Sequence, residues 1–241
     1  MNQSDTTARL VKMQQRPNLT DPVYLVIKPL GRQLREEAQR LRKMGRVNQI
    51  VIDIGCGIKP YMDFFLPLAS GYWGIDINSG SADISGSSGK LPLRDAVADI
   101  VICTQVLEHC ERPDIVLSEI RRILKPGGVA LLSTHGVYIY HPAPGDYWRW
   151  THEGLQLAAR DAGLEPVRIL PNGGPIACIS YLFITMLTFF SYRNILLAPL
   201  RFCLAPFLNF TAEKVDGLFS GLYPKSKLLL VANYLVVLEK R

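Results

Sequence analysis

Two groups of residues in this chain have types and spacing that could do chemistry. The first is Asp53-Ile54-Gly55-Cys56-Gly57, which closes a short apolar run and is followed roughly twenty residues later by Asp76. Glycines lack a Cβ and let the backbone approach a ligand closely, and free amides at the next helix start attract an anionic end. An acid at the distance of Asp76 is placed to accept hydrogen bonds from ribose hydroxyls. The second group is the run HGVYIYHPAPGDYWRW, which gathers Tyr138, Tyr140, Tyr147, Trp148 and Trp150 with His135, His141, Asp146 and Arg149. It reads either as a substrate wall or as a rigid cover in which Asp146 and Arg149 form a structural pair. A dinucleotide-binding GxGxxG loop would need a third glycine where Pro60 stands, and Asp53 is foreign to it, which argues against a nicotinamide site.

The elements that must position these residues follow from periodicity. Gln49–Ile54 stops at Gly-Cys-Gly and reads as a buried parallel strand. A helix around Tyr61–Ala69, a strand Tyr72–Ile77, a Gly/Ser loop over 79–89 and a strand Asp99–Thr104 come next. In the helix expected over Pro113–Leu124, Val116, Ile120, Ile123 and Leu124 share one face, with Pro113 suited to the first turn and Lys125 and Gly127 to the last. A strand over Val129–Thr134 follows. Thr151 should cap a helix that carries Glu153 in its first turn and ends at Gly163. Strands alternating with helices imply an α/β fold with a doubly wound parallel sheet, whose ligands bind outside the carboxyl ends of the strands.

The chain has 241 residues, suited to one domain with a sizeable addition, and 48% hydrophobic against 20% charged residues excludes disorder. Residues 1–50 hold ten basic and four acidic side chains, a local excess of six that equals the net charge of +6 for the whole chain. Confinement of the excess to one terminus argues against a broad nucleic-acid face. Residues 1–22 read as a flexible or extended lead-in. Leu30, Leu34, Ala38 and Leu41 then form one helical face that ends at Gly45. That basic helix either packs on the core or rests on anionic lipid headgroups. Cys56, Cys103, Cys110, Cys178 and Cys203 form no CxxC pair and suit reduced thiols in the cytoplasm, with no metal site. The first thirty residues carry no signal-peptide pattern.

The stretches VIDIGCG (51–57), GIDI (74–77), LPL (91–93), ADIVICTQVLEH (98–109) and EIRRILKPGGVALLST (119–134) together resemble class I S-adenosylmethionine-dependent methyltransferases, in particular the small-molecule group called type 11. The resemblance implies a Rossmann-like methyltransferase sheet with S-adenosyl-L-methionine as cofactor. Asp53, Gly55 and Gly57, with Cys56 among them, would shape the pocket for the methionine part. Asp76 would bind the ribose, with Ile77 beside it, and Gln105, Val106 and Leu107 would line the other side. Two positions depart from the family pattern. Lys59 stands where a third glycine is usual, and Ser87 where an acid often meets the adenine amine; Asp83 is the nearest acid. HPAPGDYWRWTHEGL (141–155) is similar to a pattern found in type 11 enzymes that accompany cell-envelope polysaccharide genes.

Methyl transfer from a sulfonium is an in-line displacement, so much of the acceleration comes from orienting the nucleophile. A base is needed only where the acceptor must lose a proton. His109, His141 and Asp146 are the candidates, and His109, at the end of VLEH, could instead hold a cofactor-side structural role. No Asn-Pro-Pro-aromatic sequence of the amine-methylating enzymes follows the fourth strand, so an oxygen or carbon acceptor is expected. The sixth and seventh strands, expected at Pro166–Leu170 and Leu230–Leu238, are separated by an apolar insertion instead of a short hairpin. Residues 172–212 hold only Arg193 and Arg201 as charges, and Gly173–Tyr192 has none. Because both flanking strands belong to one sheet, the insertion must return on the side it left, which excludes a single membrane pass. It reads as an in-plane or re-entrant hairpin on the membrane, or as a helical lid or dimer face.

The expected organisation is therefore a basic arm and helix (1–46), a cofactor-binding core (47–171), an apolar helical insertion (172–227) and a final strand (228–241). The expected function is a methyltransferase peripheral to the inner face of the cytoplasmic membrane, in contact with anionic lipid and acting on a lipid or envelope-saccharide precursor, with no nucleic-acid partner. A soluble quinone- or polyketide-type O- or C-methyltransferase and a non-catalytic membrane adaptor are the alternatives.

Overall fold

The computed structural model describes residues 3–78, 80–142, 144–219 and 230–241. Its centre is a seven-stranded sheet built from β1 (Gln49–Ile54), β2 (Ala69–Asp76), β3 (Ile84–Ser85), β4 (Ala98–Thr104), β5 (Leu124–His135), β6 (Glu165–Asn172) and β7 (Asn233–Glu239). The order is β3-β2-β1-β4-β5-β7-β6, parallel except for β7, which runs antiparallel to both neighbours. The chain reverses its direction of travel across the sheet between β1 and β4, and a ligand crevice opens at such a switch point. β3 is a two-residue edge strand inside the Gly/Ser stretch that reads as plain loop in the sequence.

Alternating residues feed opposite faces of the sheet. Ile52, Ile54, Val101, Cys103, Ala130, Leu132, Val236 and Leu238 pack against α4 (Pro113–Ile123) and α5 (His152–Asp161). Val51, Ile100, Ile102, Val129, Leu131, Leu235 and Val237 pack against α2 (Tyr24–Lys43) and the short α3 (Met62–Phe65). The α2 face foreseen from spacing, Leu30, Leu34, Ala38 and Leu41, is at most 2% exposed and lies against the sheet rather than on a lipid surface. Glu37 of α2 pairs with Arg168 of β6, and Gly45 ends the helix with a left-handed φ of +80°. Thr151 Oγ1 accepts from Gly154 N at 3.0 Å as the α5 cap.

Three expectations are corrected. The lead-in contains a helix, α1 (Gln3–Gln15), held to the domain by Gln15, whose side-chain amide donates to Pro60 O at 2.7 Å. The helix expected over Tyr61–Ala69 shrinks to four residues, because β2 begins at Ala69 and pairs there with Gln49. β5 starts at Leu124 and so reaches well before Val129. The insertion before the last strand forms two helices, α6 (Pro175–Arg193) and α7 (Ala198–Phe219). Tyr24, Leu25 and Val26 of α2 pack with Ala177, Cys178 and Tyr181 of α6 and Ala212 of α7, which roots the hairpin on the domain. Asp216 of α7 accepts from the amides of Gly174, Ile176 and Ala177, capping the start of α6 across the hairpin. The expected boundary at 227/228 lies outside the described residues.

Candidate active site

At the switch point Gly55 turns the chain out of β1 with φ +64°, and its amide and that of Cys56 bond back to Ile75 O at 2.8 and 3.1 Å. A Cβ on Gly55 would lie 2.3 Å from Val106 Cγ2, so glycine is required there both for space and for conformation. Gly57 N donates to Asp76 Oδ2 at 2.9 Å and Asn78 N to Oδ1 at 2.9 Å, fixing the carboxylate at the end of β2. Gln105, directly after β4, has φ +56° and is held by Ser133 O through its amide. Such strained non-glycine backbone is characteristic of functional sites.

A cavity of about 700 Å³ lies at this corner; Gly57, which holds Asp76, is not among its lining residues. Gly55, Asp76, Ile77, Gln105, Val106 and His109 all line it, as do Ser87, Ser88, Glu111 and Pro144. A glycine corner that admits no Cβ, a fixed carboxylate and an apolar floor from Val106 and Ile115 suit a ribonucleoside joined to a compact polar tail.

Other residues anticipated for the cofactor lie elsewhere. Asp53 is 3% exposed and accepts a 2.6 Å hydrogen bond from Tyr72 OH beneath the loop; burial pushes its carboxyl up to about 7. It is not among the cavity-lining residues, so it supports the glycine loop from below. Cys56 is buried against Gly74, and burial raises its thiol to about 12. Leu107 is fully buried in the core. Asp83 turns to Lys59 Nζ at 2.7 Å and to Gly74 N at 2.6 Å and does not face the cavity; Ser87 does. The two departures from the family pattern thus have different characters. Lys59 gives the loop an ion pair to the next strand's loop, whereas Ser87 leaves a neutral hydroxyl at the cavity wall.

Above β4 and β5 the rings form a connected cluster. His109 meets His141 edge-on at 4.9 Å, His141 lies 5.1 Å from His135 and 4.9 Å from Tyr138, and His135 stacks on Tyr138 at 3.6 Å. Tyr138 then reaches Tyr181 of α6 at 4.9 Å. His109 Nδ1 is tied to Gly145 O and so carries a proton, which in the neutral ring leaves the lone pair on Nε2. Burial lowers the pKa of His141, against the opposing pull of Asp146, and so favours its neutral form. Burial, then His141 beside it, pushes His135 down to about 3.

Asp146 is the correction in this group. Its side chain is 1% exposed, receives both arms of Arg149 at 2.5 and 2.7 Å, and accepts from His141 N at 2.9 Å. The guanidinium holds it well below the ordinary carboxylate range. Arg149 also donates to the carbonyls of Tyr138 and Ile139, so the pair braces the loop rather than accepting a proton. Two residues of the site escape the sequence reading. Glu108, fully buried inside VLEH, accepts from Thr134 Oγ1 at 2.9 Å and faces His135 Nε2 at 3.1 Å, and burial raises its pKa. A carboxylate flanked by Leu107 and the buried strand ends was its only signal. Tyr181 gave none, being one hydroxyl in a long apolar run.

A family model for the methyltransferase domain matches residues 27–164. The chain belongs to this family. The switch-point cavity and the sheet order are those of a class I, S-adenosylmethionine-dependent methyltransferase domain. Among relatives, a "Probable S-adenosylmethionine-dependent methyltransferase" of Mycolicibacterium smegmatis is 33% identical over 103 residues, covering 38% of this chain and 40% of the relative. Malonyl-[acyl-carrier protein] O-methyltransferase of Serratia marcescens is 27% identical over 113 residues, covering 42% and 44%. The chain thus spans about two fifths of the length of these curated relatives. Among solved structures, the Burkholderia thailandensis 1,6-didemethyltoxoflavin-N1-methyltransferase, with bound 1,6-didemethyltoxoflavin and S-adenosylhomocysteine, superposes with TM-score 0.55 at 15% identity over 98% of this chain and 88% of that one. At that identity the likeness concerns the fold.

Proposed function

We propose that this methyltransferase acts at a membrane surface, methylating an oxygen or carbon of a lipid or envelope-saccharide precursor. The observation that carries the reading is the bridge from the cavity, through His109, His141, Tyr138 and Tyr181, to an insertion whose outer surface is apolar. The most apolar part of Ile195–Phe219 is 17% buried, against 50% in Pro175–Arg193. Phe183, Met186, Phe189, Leu196, Phe202, Phe207 and Phe210 stand exposed over one hairpin. Exposed apolar side chains in that number on one hairpin call for a partner. The hairpin's cations at Arg193 and Arg201, with no acid before Glu213, suit anionic headgroups.

S-adenosylmethionine, when bound, supplies an electrophilic methyl on a sulfonium. Asp76 would hold its ribose, with Ile77 and Val106 against its apolar parts, and Gly55 leaves room for the close backbone approach. His109 Nε2 accepts the acceptor's proton where one must leave, with Gly145 O fixing the tautomer. His141 and Tyr138 orient the acceptor, and the Asp146–Arg149 brace keeps their loop in place.

Flotation with phosphatidylglycerol-containing vesicles tests the membrane reading. The chain should float, and the double variant Leu196→Glu, Phe202→Glu should remain at the bottom with its S-adenosylhomocysteine affinity unchanged. A wild type that stays at the bottom at low salt favours instead a soluble small-molecule enzyme, whose hairpin covers an apolar acceptor.

A further inference from the structure

On the α2 side of the sheet, the edge where β5 and β6 end and β7 begins carries a row of neutral amides. Asn172 of β6 lies opposite Asn233 of β7, which lies opposite His135 of β5. Gln105 Nε2 reaches Ser133 Oγ at 2.8 Å and Asn233 Oδ1 at 2.9 Å. From α2, Gln33 Nε2 donates to Pro171 O at 2.9 Å. Asn172, the last residue of β6, and Asn233, the first of β7, are 1% and 0% exposed.

The row is incompletely satisfied. Both polar atoms of the Asn172 amide, Asn233 Nδ2, Gln33 Oε1 and His135 Nδ1 are buried without a hydrogen-bond partner among the described residues. Buried polar groups are nearly always paired, and each one left open carries a desolvation cost. Several open atoms along one strip therefore point to something the strip receives. Gln105 belongs both to this strip and to the cofactor cavity, so the strip begins where the methyl group would be delivered. Its amides present donors and acceptors side by side, as hydroxyls do, and among the described residues it contains no charged side chain.

We propose that this amide strip seats the neutral, hydroxyl-bearing head group of the acceptor, in the manner of a sugar or glycerol unit. The proposal rests on the methyltransferase reading and adds the chemistry of the acceptor. Among the described residues, none of the side chains that form the strip offers a phosphate or carboxylate a cation. A polyhydroxyl group can engage the open Asn172, Asn233 and Gln33 atoms together.

Calorimetry on the S-adenosylhomocysteine-loaded protein tests this, using octyl glucoside below its micellar concentration, with octanol and octyl phosphate as controls. Octyl glucoside should bind about tenfold or more tightly than either control. Asn172→Leu and Asn233→Leu should each lose about tenfold in glucoside affinity while keeping the wild-type affinity for S-adenosylhomocysteine. Equal binding of octyl glucoside and octanol by the wild type would overturn the proposal whether or not the variants fold. So would undiminished glucoside binding by folded Leu variants, which would mean that the strip holds structural water only. A wild type unable to bind S-adenosylhomocysteine would instead bring down the underlying reading, and the proposal with it.

Discussion

Asp53 offers the sharpest test of how the cofactor loop is built. Its residue type and place in VIDIGCG suggest a ligand-facing acid, yet the structure puts it under the loop, 3% exposed, with Tyr72 OH at 2.6 Å. Burial raises its carboxyl from 3.8 to about 7. Between those two values the folded chain holds a proton that the unfolded chain has released, so the group's contribution to stability is present below about pH 4 and is lost as pH rises to about 7. A shift of roughly three units at about 1.4 kcal/mol each gives a loss of about 4 kcal/mol, with nothing further above pH 8. Asp53→Asn keeps the shape and an oxygen for Tyr72 but does not titrate. The stability of the variant relative to wild type should therefore grow by about 4 kcal/mol between pH 4 and pH 8. Urea unfolding at both pH values measures it, and calorimetry with S-adenosylhomocysteine should show an affinity within about threefold of wild type. A stability difference that does not change with pH, or a collapse of cofactor affinity in Asp53→Asn, would refute the argument and return Asp53 to the ligand's side of the loop.

Three further expectations concern the same site. Gly55→Ala places a Cβ 2.3 Å from Val106 Cγ2 at φ +64°, and should cost about 1–3 kcal/mol of stability and about tenfold in cofactor affinity. Adding Val106→Ala should relieve the clash but not the backbone strain, so denaturation of the double variant should show partial recovery. Arg149→Lys removes the two-armed grip on Asp146 and the bonds to Tyr138 O and Ile139 O; a loss of about 1–2 kcal/mol, with methyl transfer reduced more than cofactor binding, is expected in melting and single-turnover assays. Burial lifts the thiols of Cys56 and Cys178 to about 12 and about 11, whereas Cys203 is exposed. Iodoacetamide at pH 8 should therefore label Cys203 first, read by peptide mass spectrometry; early labelling of Cys56 would contradict the packing.

How much could be read ahead of the structure depended on whether a residue's part was set locally. Pro113 at the start of α4, the Thr151 cap and the glycine turn after β1 depend on neighbours within a few positions, and these were legible. Asp76 was legible from its spacing after the glycine turn, whereas Ile77, Gln105 and Val106, which also line the cavity, were expected from the family resemblance. Parts set by long-range pairing were not legible. Lys59 and Asp83 meet across two loops, Asp146 is claimed by Arg149, and Leu107 turns inward because the chain folds into a 3-10 turn after Val106. Helix α1 escaped notice because Leu10 and Met13 remain exposed, leaving no strong apolar face to betray it. Tyr181 and Asn233 lie in stretches where apolar residues dominate, and only the sheet brings them to the site.

The hairpin's design follows from where its two faces are satisfied. Ala177, Cys178, Tyr181 and Ala212 face the start of α2, and Asp216 locks the beginning of α6, so the base of the hairpin is fixed to the catalytic domain. Its far end has no such support: Tyr192, Ile195 and Leu196 are each at least 78% exposed at the turn between α6 and α7. A lid over the cavity would direct its apolar residues inward and leave a polar back, yet these side chains surround the tip and continue along α7. On the membrane reading proposed above, a bilayer surface would accommodate the apolar side chains of the projecting tip, and Arg193 and Arg201 beside it would meet the headgroups. With the base anchored, insertion of the tip would hold Tyr181 and the ring cluster at a constant height above the membrane, and the cavity with them. An acceptor rooted in that membrane would then need to extend only its head group to reach His109.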